Sequence, residues 1–316
     1  MKKFLIERIK ADKACNKQSK TAKSYDLSGK TIVITGATSG IGLSAAIQLA
    51  QAGACVIGIG RSAERCRRAE EEILNSCNTA AVSYLTADLS SLKQIRELSD
   101  RIKEKLASEG TEHIDVLINN AGTVSSWFTS TEDGFELQFA VNYLAAFLLT
   151  HELLPLLAAS KEGRMIALSS GSHYRTRMNW KDIQLRKHYN CLAAYKQTKL
   201  ANVMFCTEFN KRFKGKTKIT AFAADPGLVN TDIGLKGTSG IVSWVWKRRS
   251  RKGINPAAAA ESIVYLAAEP SIQATNHVYW KECKPLVPSS YSQKSNESER
   301  LWNLSAKMCG LNGYAY

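Results

Sequence analysis

The chain has 316 residues, and 44% of them are hydrophobic, which excludes a disordered chain and predicts a substantial core. Its formal net charge of +15 indicates acidic partners, namely phosphate-bearing ligands, anionic lipid or nucleic acid, with a merely solvated basic surface as the alternative. The eight cysteines form no CxxC pair and the five histidines show no metal-ligand spacing, so we expect reduced thiols, a cytoplasmic protein and no metal site.

Along the chain, segments with buried-strand character alternate with helical segments. Residues 1–27 form a Lys-rich polar arm, which we expect to lie outside the core. Strands are predicted in KTIVIT (30–35), CVIGIG (55–60), AVSYLTADL (81–89), DVLINNAG (115–122), GRMIALSSGS (163–172) and KITAFAADPG (218–227). Helices are predicted in LSAAIQLAQAGA (43–54), SAERCRRAEEEIL (62–74), LKQIRELSDRIKEKL (92–106), FELQFAVNYLAAFLLTHELLPLLAA (135–159), CLAAYKQTKLAN (191–202) and SERLWNLSAKM (298–308).

This alternation predicts the fold class. Continuous apolar strands separated by helices are typical of an α/β protein in which helices cover both faces of a doubly wound parallel sheet, the Rossmann fold. We expect a single domain over residues 28–283, followed by a C-terminal extension at 284–316.

A glycine-rich turn joins the first strand to the first helix. The sequence TGATSGIG (35–42) combines a tight turn at Gly36 with close backbone approach at Gly40 and Gly42, at the positive end of a helix. This context favours binding of a dinucleotide pyrophosphate, although such a turn can also be purely structural. The predicted contacts in the turn are Gly36, Thr38, Ser39, Gly40, Ile41 and Gly42.

The end of the second strand predicts which dinucleotide is bound. A carboxylate about 20 residues after the glycines would accept hydrogen bonds from the adenosine ribose of NAD. Here the chain reads GIGRSAER, with Arg61 and no acidic residue before Glu64. Because arginine binds phosphate in a bidentate manner, Arg61 favours the 2′-phosphate of NADP(H), with NAD as the alternative coenzyme and a surface arginine as the structural interpretation.

Polar residues follow two later strands. Asp88 comes after the third strand and Asn119 and Asn120 end the fourth. Ligands of open α/β sheets lie at the carboxyl ends of strands, so these side chains are candidates for contacts with adenine and ribose. Each is equally consistent with a helix cap or a turn.

The segment CLAAYKQTKLAN contains Tyr195 and Lys199, four residues apart and therefore on one face of a helix. A phenol has a pKa of about 10 and is a poor base near neutrality, but an adjacent ammonium stabilises the phenolate. The pair is a candidate for proton transfer during hydride exchange at a carbinol carbon. Ser169 and Ser170 end a strand, where a hydroxyl can hold the substrate oxygen. Asn142 lies in an apolar helix and is interpreted either as part of the site or as a hydrogen-bonded structural residue.

Taken in order, these motifs resemble those of the short-chain dehydrogenase/reductase family. TGxxxGIG, NNAG, a helical Asn, a strand-end Ser, YxxxK and DPGLVNT (225–231) cover residues 28 to about 280. The long spacing between the Ser and the Tyr, YLAAEPS (265–271), HVYW (277–280) and the late SERLWNLS resemble the retinol-dehydrogenase-like branch. Members of the family are often dimers or tetramers, so the resemblance also implies a homo-oligomer.

The resemblance implies a role for each matching residue. Tyr195 is expected to be the general acid/base, Lys199 to assist it and bind the nicotinamide ribose, Ser170 rather than Ser169 to orient the substrate carbonyl, and Asn142 to support a water-mediated proton relay. The implied cofactor contacts after the glycine turn are Arg61, Asp88, Leu89, Asn120, Ala121, Gly122, Tyr195, Lys199, Pro226, Gly227, Val229 and Thr231. Members of the family more usually have His or Ser before this Pro-Gly, and this chain has Asp225. We therefore expect the local packing and the pH dependence to differ from those of the family.

A substrate lid is expected at residues 233–256. Trp244 to Trp246 offer an apolar wall, and the basic run 247–252 follows directly. The segment is interpreted as a lid over a lipophilic alcohol or ketone, with peripheral contact to an anionic membrane, or as a solvated loop packed through its tryptophans.

Three functional hypotheses follow. The first is an NADP(H)-dependent oxidoreductase that interconverts a lipophilic alcohol and its ketone or aldehyde. The second is a reductase of acyl groups attached to an acidic carrier protein. The third is a catalytically silent NADP-binding sensor or interaction protein. No zinc-finger, RNA-recognition or helix-turn-helix signature accompanies the positive charge, so no specific nucleic-acid partner is expected. No apolar run approaches the roughly 18 residues of a membrane span, and the start MKKFLIERIKAD does not resemble a signal peptide.

Overall fold

The computed structural model describes residues 25–77, 80–213, 215–230, 253–273 and 275–311. Most of the predicted N-terminal arm, Thr231 and residues 233–252 of the predicted lid lie outside the described residues. The strands are β1 (Thr31–Thr35), β2 (Cys55–Gly60), β3 (Val82–Thr86), β4 (Val116–Asn119), β5 (Arg164–Leu168), β6 (Thr220–Asp225), β7 (Tyr279–Lys281) and β8 (Lys284–Leu286).

These strands form an eight-stranded sheet in the order β3-β2-β1-β4-β5-β6-β7-β8. All neighbouring pairs are parallel except β7 and β8, which are antiparallel. The order runs outward from β1 in both directions, as a doubly wound sheet requires, so the predicted fold class is confirmed.

The last two strands were not predicted, because runs of three residues are too short to show a strand pattern. A tight turn joins them, in which Glu282 and Cys283 have φ angles of 50° and 58°. Positive φ at both central residues is the geometry of a type I′ hairpin turn, which sequence reasoning expects from Asn and Gly rather than from this pair.

Helices form in all six predicted segments, and a further helix, Pro256–Ala268, was not predicted. They are α1 (Gly40–Gln51), α2 (Ala63–Ser76), α3 (Leu92–Ser108), α4 (Leu137–Phe139, a π-helical turn Ala140–Leu144, then Ala145–Glu152), α5 (Leu154–Ala159), α6 (Cys191–Phe213), α7 (Pro256–Ala268) and α8 (Ser295–Met308).

The long helix predicted at 135–159 is not one continuous helix in the structure. It begins at Leu137, contains the π-helical turn and is interrupted at Leu153, whose φ and ψ are −98° and 2°. Pro155 follows in the first turn of α5, where its missing N–H costs nothing, and it cannot continue the preceding helix. The prediction of one continuous helix is therefore wrong at this point.

Two apolar layers cover the sheet. One contains α1 and α7, and the other contains α3, α4, α6 and α8. In the second layer the Trp302 ring of α8 lies 5.2 Å from the Phe147 ring and 5.8 Å from the Phe205 ring. The domain boundary at 283 stays a prediction, although β8 and α8, which lie beyond it, belong to the same sheet and core as the rest of the described chain.

Candidate active site

A cleft of about 1030 Å³ opens at the carboxyl ends of the parallel strands. Among the predicted site residues, those that line it are Gly36, Thr38, Ser39, Gly40, Ile41, Gly42, Arg61, Asp88, Leu89, Asn120, Ala121, Gly122, Ser170, Tyr195, Lys199, Pro226, Gly227 and Val229. The sheet therefore brings together segments that are far apart in the sequence, because parallel strands end at the same edge.

The glycine turn is built by close backbone packing. A Cβ at Gly42 would lie 2.3 Å from the Gly36 carbonyl oxygen, and Gly36 itself has a φ of 67°. The Asn120 side chain holds this turn, since its Nδ2 donates to the Thr35 carbonyl at 2.8 Å and to the Gly36 carbonyl at 3.2 Å. Asn120 is therefore a structural support of the turn as well as part of the cleft wall.

The start of α1 suits an anion. Its first turn carries no acidic side chain, and Gly40, Ile41 and Gly42 line the cleft there. The first backbone N–H groups of a helix lack intrahelical partners and lie at the positive end of its dipole. This donor set fits a pyrophosphate.

Arg61 lies at the end of β2, exposed and on the wall of the same cleft. Glu64, the first acidic residue after it, forms an ion pair with Arg68. The residue before Arg61 is a glycine because the Thr38 side chain packs against it: a Cβ at Gly60 would lie 2.4 Å from Thr38 Cγ2. The Arg61 guanidinium therefore places a positive charge on the cleft wall at the end of β2.

Asp88 combines a turn role with a place in the cleft. Its Oδ1 accepts hydrogen bonds from the Ser90 amide at 2.9 Å and the Ser90 hydroxyl at 2.8 Å. This is the turn that precedes α3, one of the two interpretations that the sequence allowed. Leu89, which follows it, is buried beside the cleft.

Tyr195 and Lys199 lie in the N-terminal part of α6, on the wall of the cleft. The Lys199 Nζ lies 5.5 Å from the centre of the Tyr195 ring and donates to the Leu168 carbonyl at 2.9 Å. Burial lowers the pKa of Lys199 to about 8, while the negative charge of Asp225 opposes this effect. The lysine charge is thus held in a buried place next to the phenol.

The two strand-end serines have different surroundings. The Ser169 hydroxyl is buried and donates to the Lys199 carbonyl at 2.8 Å, so it fixes α6 against β5. The Ser170 oxygen accepts from the Ser172 amide at 3.2 Å, which leaves the Ser170 proton able to turn toward an oxygen in the cleft. This geometry favours Ser170 as the substrate contact.

Asn142 lies in the π-helical turn, behind the cleft wall. Its Oδ1 accepts from the Thr123 amide at 2.6 Å, and its Nδ2 donates to the Thr123 carbonyl at 3.0 Å and the Thr198 hydroxyl at 3.2 Å. Its backbone carbonyl accepts from Asn202 Nδ2 at 3.0 Å. These bonds fit the structural interpretation of Asn142, and its part in a proton relay stays a prediction.

The cleft also contains residues that the sequence did not indicate. Lys281, at the end of β7, lines it, and so do the apolar side chains of Val124, Leu137, Val141 and Leu192. Nothing in the sequence indicated Lys281, because β7 is too short to show a strand pattern. The apolar residues had no signal because their type is the same as that of core residues.

Comparison with known proteins identifies the family. A short chain dehydrogenase family model matches residues 30–239. The chain belongs to the short-chain dehydrogenase family. Retinol dehydrogenase 13 of Homo sapiens is 37% identical over 295 residues, which cover 90% of this chain and 85% of that protein. Retinol dehydrogenase 12 of Mus musculus is 35% identical, with 91% of this chain and 89% of that protein covered.

Solved structures share this architecture. An uncharacterized protein from Mycobacterium paratuberculosis matches with a TM-score of 0.71 and 28% identity, covering 92% of this chain and 96% of that one. The landomycin C-6 ketoreductase LanV, solved with NADP and rabelomycin, matches with a TM-score of 0.63 and 24% identity, covering 83% and 97%. The likeness to LanV concerns the fold.

The short-chain dehydrogenase described here lies in the retinol-dehydrogenase-like branch, as its motifs predicted. It is an oxidoreductase of alcohol and carbonyl groups, which confirms the predicted enzyme class. Among its described helices, none combines the length and the hydropathy that a membrane crossing requires. Within the same residues, no group of three or more His, Cys, Asp or Glu side chains is arranged to hold a metal ion.

Proposed function

We propose that this short-chain dehydrogenase uses NADP(H) to interconvert a lipophilic alcohol and its aldehyde or ketone, with Tyr195 as the general acid/base. One observation carries the proposal: the glycine turn, Arg61 and the Ser170, Tyr195 and Lys199 side chains line the same cleft. A single bound molecule of coenzyme and a substrate can therefore reach all of them.

The coenzyme assignment rests on charge. The first turn of α1, free of acidic side chains, would hold the pyrophosphate, and the Arg61 guanidinium would bind the 2′-phosphate. Lys199 would bind the nicotinamide ribose. When bound, NADP(H) supplies or accepts the hydride.

In the direction of carbonyl reduction, the Ser170 hydroxyl donates a hydrogen bond to the substrate oxygen and holds the carbonyl in place. As that oxygen gains negative charge, the Tyr195 hydroxyl gives its proton to it and becomes a phenolate. The Lys199 ammonium stabilises this phenolate, which accepts the proton back in the reverse reaction.

Apolar side chains around the proton-transfer residues support a lipophilic substrate. Val124, Leu137 and Leu192 line the cleft together with Tyr195. The related proteins are named retinol dehydrogenases, and retinol is such an alcohol. We propose the class of lipophilic alcohols and carbonyl compounds rather than one member of it.

The test is a panel of lipophilic alcohols, aldehydes and ketones that includes retinol and retinaldehyde, assayed by nicotinamide absorbance with both coenzymes. We expect turnover with NADP(H), and a loss of kcat of about 10²–10⁴-fold in Tyr195→Phe with NADPH affinity retained. Tyr291→Phe is the matched control, because it removes a phenol hydroxyl bonded to Trp180 outside the cleft wall. If Tyr195→Phe kept its activity, the proposed mechanism would be wrong.

The remaining proposals concern the protein as a whole. Six buried or partly buried cysteines are free thiols, which supports the proposal of a reducing, cytoplasmic location: Cys55, Cys66, Cys191, Cys206, Cys283 and Cys309. We also propose a homo-oligomer and a single catalytic domain over residues 28–283. Sedimentation analysis of the purified protein tests the first of these, and a shortened variant that ends at 283 tests the second.

A further inference from the structure

A buried carboxylate lies at the end of β6 inside the cleft. Asp225 is 3% exposed. Its Oδ1 accepts from the Gly227 amide at 2.9 Å, and its Oδ2 accepts from the Tyr279 hydroxyl at 2.6 Å. Two hydrogen bonds to neutral donors fix the carboxylate but leave its negative charge in place. Removing a charge from water costs free energy, so a buried carboxylate calls for a positive partner.

We propose that the Asp225 carboxylate is the counter-charge that keeps the buried Lys199 side chain an ammonium ion, which makes Asp225 a positioning residue for proton transfer at Tyr195. The consequence for catalysis rests on the function proposed above. The effect on the charge of Lys199 does not depend on it.

Lys199 is the cation that needs such a partner. It is 4% exposed, and its Nζ donates to the Leu168 carbonyl, which is neutral. Leu168 pairs in the sheet with Ala224, the residue before Asp225, and the Lys199 and Asp225 side chains line the same cleft. Burial lowers the pKa of Lys199 to about 8, and the charge of Asp225 raises it against that effect. A buried amine without a nearby carboxylate would lose its proton closer to neutral pH.

The other titratable groups around Asp225 do not neutralise it. Tyr279 and Lys281 face it from β7: burial and the Asp225 charge raise the pKa of Tyr279, so this phenol stays a neutral donor. The Lys281 side chain is 39% exposed and lies 3.5 Å from a Glu282 carboxylate oxygen, so solvent and a second carboxylate share its charge.

The turn after β5 contributes two further rings, His173 and Tyr174. The His173 Nδ1 lies 2.8 Å from the Ser170 carbonyl, and its Nε2 accepts from the Ser289 amide at 3.1 Å, so the proton is on Nδ1 and the ring is neutral. Burial lowers the pKa of His173 and raises that of Tyr174. Both rings are therefore neutral near pH 7.

Asp225→Asn is a suitable probe because it removes the charge and keeps the shape. The amide oxygen of Asn can still accept from the Gly227 amide, and the Tyr279 hydroxyl can accept from the Asn NH₂ group. Asp225→Glu is the conservative variant, which retains the charge. Tyr279→Phe retains the carboxylate and removes only its hydroxyl partner.

The direct experiment is an NMR pH titration of the full chain with ¹³Cε-labelled lysine, in which the Lys199 signal is assigned by its loss in Lys199→Arg. We expect the Lys199 midpoint to fall by about one pH unit in Asp225→Asn, a shift typical of removing one nearby charge. Asp225→Glu and Tyr279→Phe should keep a midpoint close to that of the parent protein. An unchanged midpoint in Asp225→Asn, or equal shifts in Asp225→Asn and Tyr279→Phe, would overturn the proposal.

The second readout is the pH dependence of kcat with the best substrate of the panel. The high-pH limb, which the loss of the Lys199 proton sets, should move to lower pH in Asp225→Asn, because the buried ammonium loses its proton more readily once the negative charge of Asp225 is gone. A lower kcat with unmoved limbs would indicate a merely structural role. Asp100→Asn, exposed on α3, is the control in which the limbs should not move.

The two proposals fail separately. If Tyr195→Phe abolishes turnover and Asp225→Asn leaves the Lys199 midpoint unchanged, only the counter-charge is wrong. If Tyr195→Phe retains turnover and the midpoint moves, the counter-charge stands and the general acid/base is wrong.

Discussion

The cleft has two halves, and different interactions determine the shape of each: backbone packing in one and buried polar side chains in the other. In the coenzyme half, formed by the glycine turn (35–42), Arg61 and residues 88–89 and 120–122, close approach of backbone atoms determines the shape. In the proton-transfer half, formed by residues 169–172, the start of α6 and Asp225, the determinants are buried polar side chains and their partners, which include His173 and Tyr279 behind the cleft wall. Added volume should therefore disable the first half, whereas loss of a charge or hydrogen bond should disable the second.

The largest effect on coenzyme binding is expected from Gly42→Ala. The new Cβ would lie 2.3 Å from the Gly36 carbonyl oxygen and 2.4 Å from Asn120 Nδ2, so the phosphate-binding turn must move. We expect the Kd of NADPH, measured by fluorescence titration, to rise about a hundredfold, because overpacking of this kind costs roughly 1–3 kcal/mol.

Gly110→Ala is the matched control. Gly110 has a φ of 68° and open space around its Cα, so the substitution strains only the backbone of a distant turn. It should lower the free energy of unfolding and leave the Kd of NADPH unchanged. Equal weakening by both variants would show that general destabilisation, and not the geometry of the turn, explains the result.

His173→Phe tests the second half. The ring keeps its contact with Tyr279, but the Ser289 amide loses its acceptor, while the Ser170 carbonyl still accepts from the backbone amide of residue 173. One buried amide left without an acceptor should lower the free energy of unfolding by about 1–3 kcal/mol, measured by urea denaturation at pH 7.5.

The same variant should alter the pH dependence of stability. Burial lowers the pKa of His173 in the folded state, so below the unfolded value near 6.5 the unfolded chain binds a proton that the folded chain does not. This destabilises the parent protein as pH falls, and His173→Phe lacks the effect. The stability gap between the two proteins should narrow between pH 7.5 and pH 5.5, while the gap for the exposed control His188→Gln should stay constant. A widening gap would contradict this assignment.

Each half has residues that the sequence predicts. The glycine turn and Tyr195 with Lys199 could be predicted because a local spacing fixes each of them: close approach demands glycine, and four residues make one helical turn. The doubly wound arrangement of the six predicted strands follows equally, since apolar strands that alternate with helices leave few arrangements.

The partners of Asp225 and Asn142 could not be predicted, because each is brought there by packing between distant elements. Tyr279 belongs to a strand of three residues without a readable pattern. Thr123 and Thr198 bind Asn142 from a loop and from α6, and nothing in the sequence near Asn142 indicates either of them. The interruption before Pro155 was readable from the residue type, and a prediction based on hydropathy alone missed it.

The smallest effect is expected from Arg61→Ala, and it refines the comparison because Arg61 is a charged group in the half where geometry dominates. The guanidinium is exposed, so its removal should weaken NADPH binding only about tenfold, since water competes for a charge-assisted hydrogen bond at the surface. NADH, which lacks the 2′-phosphate, should lose far less. Arg67→Ala, whose side chain pairs with Glu71 on α2, is the control for a general change in surface charge. Equal weakening of NADPH and NADH by Arg61→Ala would remove the basis for preferring NADP(H), and the geometry of the turn would then account for coenzyme binding without help from charge.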